Sequence, residues 1–186
     1  MIILFATLGC SDVKDDHEHD HENELITTVV LEFTGDISGQ TTTSIWSDIE
    51  MSGMPVVDEI VLDLDESYLV SVSFLNELEE PAEDISPEIE AESDQHQIFF
   101  TGDSIGTLVE HSYLDSDENG LPLGLDNAFL PLEIGNGSLT VTLRHLPPEN
   151  NQVVKSEDLA DIAQTDGITA LPGDSDAKVD FPIKVE

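Results

Sequence analysis

The chain is expected to be mostly β, an immunoglobulin-like or related Greek-key β-sandwich with one short helix at about residues 87–95; a closed barrel is the alternative. Three observations lead there. From Leu25 onward apolar and polar residues alternate in short runs with period two, the pattern of strands with one buried face. Those runs are separated by Gly, Asp, Asn and Pro, the residues that turn a chain. With 186 residues, 12 Gly, 9 Pro and only 5% aromatic side chains, the length and composition suit one turn-rich domain rather than a long-helix protein.

Taken in order, the expected strands are 25–34, 41–47, 59–64, 68–75, 97–101, 107–114, 138–145 and 178–185. The clearest is Ser138 to Arg144, where Leu139, Val141 and Leu143 share one face and Thr140, Thr142 and Arg144 the other. One helix interrupts them. Ser86 supplies a cap, Pro87 the first helical position and Glu88 an acidic first turn, with Ile85 and Ile89 four apart on the inner side. It hands over to Gln97–Thr101, a strand carrying Phe99 and Phe100. Residues 119–137 and 147–177 are too irregular to place, apart from a short helical turn at 157–163. No repeat of solenoid or propeller period is present.

Charge narrows the function. Five basic residues stand against 41 acidic ones, a formal charge of −36. Such a surface repels phosphate backbones and anionic headgroups, so nucleic acid is excluded as a partner and cations are the expected ones. The same excess also arises as adaptation to salty surroundings. One cysteine excludes an internal disulfide framework.

Met1 to Cys10, MIILFATLGC, is an apolar run too short to span a bilayer, ending in Gly9 and the single cysteine. It resembles the end of a bacterial lipoprotein signal peptide, which implies a lipidated Cys10 and acyl anchoring in a membrane. The acidic stretch behind it resembles the export signal that carries Bacteroidetes-type lipoproteins to the outer face of the outer membrane. Residues 1–10 are thus the signal end, 11–24 an acidic His-rich tether and 25–186 the sandwich domain.

Within the tether, His17, His19 and His21 alternate with Glu18, Asp20 and Glu22. Imidazoles and carboxylates so interleaved, Asp20 and Glu22 included, can wrap around Zn or Cu. A solvated charged linker is the equal alternative. Asp115, Asp117 and Asn119 before Gly120, with Asp126 at the twelfth place, match the front half of a calcium loop, set against the fact that Asp, Asn and Gly are good turn residues. His96, His111 and His145 lie in or beside expected strands and could share a metal, or each be satisfied separately. Arg144, the only arginine, has a structural ion pair as its default role and a ligand carboxylate as the alternative.

Residues 73–100, SFLNELEEPAEDISPEIEAESDQHQIFF, with Tyr113–Leu125, Gly137–His145 and Val179–Val185, resemble a family of uncharacterised small surface lipoproteins of Bacteroidetes-type bacteria. Some are labelled with a type 1 periplasmic-binding-fold name, a larger α/β architecture whose strand–helix alternation this chain lacks. The resemblance implies an outer-membrane, cell-surface location and association with a TonB-dependent outer-membrane receptor. No nucleophile elbow, HExxH or phosphate loop is present, so no enzymatic activity and no organic cofactor are expected. The expected function is capture of a divalent metal, Zn, Cu or Ca, or of a small ligand for that receptor. The alternative is a structural or adhesive surface module with no specific small ligand.

Overall fold

A computed structural model describes residues 24–150 and 152–186. It is a β-sandwich. A seven-stranded sheet runs β3-β2-β1-β5-β9-β8, with β6 added beside β5, and faces a four-stranded sheet ordered β4-β11-β10-β7. The first sheet is built from β1 (Thr28–Gly35), β2 (Thr41–Ser47), β3 (Val56–Val57), β5 (Tyr68–Asn76), β6 (Glu83–Asp84), β8 (Val109–Tyr113) and β9 (Asp126–Pro131). The second holds β4 (Ile60–Leu62), β7 (His96–Thr101), β10 (Gly135–His145) and β11 (Asp174–Val185).

Period-two alternation explains the core. Antiparallel register sets Val29 beside Phe74, Leu31 beside Val72 and Phe33 beside Val70 on the inner face of the first sheet. On the second, Leu139 lies beside Phe181, and Val141 beside both Val179 and Phe100. These side chains are nearly all fully buried and form one continuous cluster between the sheets. Cross-strand apolar pairs of this kind, multiplied along two faces, are the main source of sheet stability. β4 and β11 pair in parallel.

The expected strands are all present with shifted ends: β4 and β8 are shorter than expected, while β10 and β11 begin three and four residues earlier. Residues 119–137, left unplaced by their irregular pattern, contain β9, which sits between β5 and β8. There are two helices where one was expected. α1 (Ser86–Ala91) is shorter than expected and buries Ile85 and Ile89. Ser86 does not cap it: its Oγ accepts the Phe74 N–H at 3.0 Å, and the N-cap residue is Ile85. The helical turn expected near 157–163 is α2 (Leu159–Thr165), followed by a 3-10 turn at Ile168–Ala170.

α2 changes what the second sheet does. Phe99, Leu146, Leu159, Ala163 and Leu171 form a separate apolar cluster on the outer face of that sheet. The outward side of β10 is therefore covered, and Thr142 and Arg144 are buried rather than solvated. No helix among the described residues is long and apolar enough to cross a membrane.

Candidate functional site

Cys10, His17, His19, Asp20, His21 and Glu22 lie outside the described residues. Chain connectivity joins that tract to the domain at Glu24, whose carboxyl is raised by burial and by the nearby acids Glu88, Asp176, Glu92 and Glu83.

The acidic turn is occupied from within. Asp115 accepts the N–H groups of Gly124 at 2.7 Å, Leu125 at 2.8 Å and Asp126 at 3.0 Å. Asp117 Oδ1 accepts from Asn119 at 2.8 Å and Leu121 at 2.9 Å, while Oδ2 faces the Lys155 ammonium at 3.1 Å. Both members of that ion pair are buried. Burial alone would raise the Asp117 carboxyl; the Leu121 N–H, Lys155 and the Asn119 N–H outweigh it and hold the group below its ordinary range. Lys155 also donates to Ser93 O at 2.7 Å. Of the four residues of the calcium reading, Asp115 and Asp117 thus have their carboxylates turned to backbone amides and, for Asp117, to an internal ammonium. Among the described residues no group of three or more His, Cys, Asp or Glu stands together to hold a metal ion.

The three histidines divide into two places. His96 and His145 face each other across the β7–β10 ladder and stack, with ring centroids 4.8 Å apart and planes 12° from parallel. His96 Nδ1 donates to Glu92 O at 3.2 Å, which leaves the Nε2 lone pair of the neutral ring facing Asp176 Oδ2 at 3.9 Å. A β-bulge in β11 opposite Leu143 and Arg144 inserts Asp176 there. Neither carboxylate oxygen of Asp176 has a hydrogen-bond partner, and its side chain is 2% exposed. Burial, with Asp174 adding, raises this carboxyl to about 6 against the pull of His145 and Arg144. Burial pushes His96 the other way, down.

His111 lies elsewhere, on β8, packed on Phe100 at 4.4 Å, Tyr113 at 4.6 Å and Phe129 at 5.4 Å between ring centroids. Its tautomer is set by a chain of bonds. Asn127 Nδ2 donates to Gly124 O at 2.8 Å, so Asn127 Oδ1 must be the acceptor for His111 Nε2 at 2.9 Å. Burial lowers the His111 pKa, with the Asn127 contact opposing, and the neutral ring keeps its lone pair on Nδ1.

His111 also lines a cavity of about 290 Å³ with Phe99, Phe100, Ile105, Tyr113, Ala160, Asp161 and Gln164. Its place follows from topology. β7 and β8 are the edge strands of the two sheets, so the sandwich opens between them, and α2 walls the opening. Phe99 and Phe100, adjacent on β7, belong to the outer and inner clusters respectively, so the cavity wraps that strand's edge. Aromatic walls with a few convergent polar groups are the ordinary make-up of a small-ligand site.

Arg144 hydrogen-bonds to neutral acceptors, while the nearby charges of Asp174 and Asp176 favour its charged form. It donates to Leu171 O, Pro172 O and Ser175 Oγ, at 2.8, 2.9 and 2.9 Å, pinning the chain entering β11. Sequence reasoning missed Asp176, Asp161, Gln164 and Lys155. Lys155 carried a legible signal, being one of five basic residues against 41 acids; Asp176 carried none, because a bulge position cannot be read from alternation. No family model matches the chain, and no curated protein or solved structure matches it either.

Proposed function

We propose that this protein is a non-enzymatic binding domain, lipid-anchored through Cys10 at the outer-membrane surface, that holds a small ligand in the β7–β8–α2 cavity for a TonB-dependent receptor. The cavity carries the ligand half of this reading: it is aromatic-walled, sits at the open edge of the sandwich, and combines a half-buried histidine, its pKa lowered by burial, with the exposed acid Asp161. The anchor and receptor half rests on the Met1–Cys10 segment and the family resemblance. The test is a thermal-shift panel of small polar, cationic and anionic compounds on the full chain and on Ala160→Trp, which fills the cavity from α2. At least one compound class is expected to raise the Tm of the parent and not of the variant. Equal shifts in both, or none in either, would overturn the assignment.

A second reading is favoured by His96 and Asp176. Two acceptors facing each other at 3.9 Å, one on a ring whose other nitrogen is fixed by a backbone carbonyl, match the outer-shell arrangement of a metal-binding histidine. An ion about 2 Å from each donor bridges a gap of roughly 3.4–4 Å. His145 stacks on the His96 ring. Calorimetric titration with Zn²⁺ and Cu²⁺ should use the chain carrying His17→Ala, His19→Ala and His21→Ala, so that only the folded domain is read. Binding lost in His96→Ala and in Asp176→Asn is expected; no binding, or binding indifferent to both, removes the reading.

A further inference from the structure

The chemistry of the cavity lining selects its occupant, an inference that rests on the binding reading above. Each polar side chain there that has hydrogens to donate has already spent them on the protein. Tyr113 Oη donates to Ile98 O at 2.8 Å. Gln164 Nε2 is directed to Gly102 O at 3.3 Å and Ile105 O at 3.4 Å. His111 Nε2 is committed to Asn127 Oδ1. What these side chains retain is accepting capacity: the His111 Nδ1 lone pair, Gln164 Oε1 and the Asp161 carboxylate. Asp161 has no ion-pair partner among the described residues. Lys178 lines the neighbouring hollow with Gln164, Thr101 and Thr140, but among the described residues no basic one lines this cavity.

An anionic or acceptor-only ligand would find no side-chain donor here and would enter against the field of a chain of charge −36. A ligand with N–H donors and a positive charge meets the opposite situation. Its hydrogens satisfy the three acceptors, its charge pairs with Asp161, and the faces of Phe99, Phe100 and Tyr113 attract a cation through their quadrupoles. We propose that the cavity between β7, β8 and α2 is a binding site for a small organic ammonium compound, with Asp161 at the mouth as its charge partner and the three aromatic rings as its walls. A volume of about 290 Å³ stands near the lower bound of ligand cavities, ~300 Å³, which suits a compact alkylamine and not a large polycation.

The test compares three small probes of similar length, n-butylammonium, n-butanol and n-butyrate, by amide and aromatic NMR shifts on the full chain, at low salt and at 0.15 M NaCl. Butylammonium is expected to shift Phe99, Phe100, His111 and Tyr113 with saturation, and to bind more tightly than butanol, with butyrate weakest. Asp161→Asn should weaken butylammonium two- to fivefold, the scale of an exposed charge pair, and leave butanol unchanged. Ala160→Trp should abolish the shifts of every probe. If butanol or butyrate binds the same residues as tightly as butylammonium, the cavity stands as a binding site and the ammonium assignment falls. If butylammonium only perturbs acidic residues across the surface and is indifferent to Asp161→Asn, diffuse counter-ion attraction explains it and the proposal is overturned. If no probe shifts the cavity residues, the binding reading fails with it.

Discussion

Asp176 shows how one side chain shapes the pH response of the domain. Its carboxyl is raised to about 6 by burial, so the folded chain holds that proton more tightly than the unfolded chain does. Below about pH 4 both states are protonated and the group has no effect on stability. As pH rises from about 4 through 6 the unfolded state ionises first, and stability is lost, on the order of 2 kcal/mol after allowance for solvent screening. Asp176→Asn should remove that loss. In the presence of a chelator, the variant is expected to equal the parent at pH 4 and to be more stable by on the order of 2 kcal/mol at pH 7–8, measured by urea unfolding. His96, lowered by burial, gives both proteins a slope of opposite sign near its ordinary pKa. A variant no more stable at pH 8 than at pH 4, relative to the parent, would show that the carboxylate is not buried without partners.

The junctions between elements hold constraints that alternation does not encode. Gly173, at φ +73°, leads into β11, and a Cβ there would lie 1.9 Å from His145 O. Gly173→Ala therefore combines a left-handed backbone with a backbone clash, and a loss of about 2 kcal/mol or more is expected in denaturant unfolding. A change under 0.5 kcal/mol would mean that the β10–β11 corner is looser than this packing. The strands themselves were legible because Leu139, Val141 and Leu143, or Val29, Leu31 and Phe33, announce a buried face every second residue. β9 was not, because Asp126–Pro131 opens with polar residues and ends on proline. α2 was only partly legible, since a helix of seven residues buries just Leu159 and Ala163. Of the site, the histidines and the aromatics on β7 were visible as residue types. Their division into a stacked pair and a lone aromatic-packed ring depends on strand order, which local pattern does not fix. Asp115 and Asp117 illustrate the same limit: their spacing was legible, but the amides they accept from and the Lys155 ammonium that Asp117 faces depend on chain segments the spacing does not locate.

Over the whole molecule, a charge of −36 on 186 residues sets carboxylates against one another wherever the surface curves. Salt should stabilise this protein. Between 0.01 and 1 M NaCl the screening length falls from about 30 to about 3 Å, so the Tm is expected to rise by several degrees, most of it in the first few tenths molar. A flat or falling Tm would mean that neutralised or bound cations already offset the repulsion. The position of β1 adds a mechanical consequence. It is bonded to β2 along one side and to β5 along the other, in the interior of the larger sheet. Residues 1–27 precede it, so a pull transmitted from that end acts on two ladders in parallel and not on a strand that can peel away. A body pulled from that end would yield last at β1, and the domain could bear load without first surrendering its core.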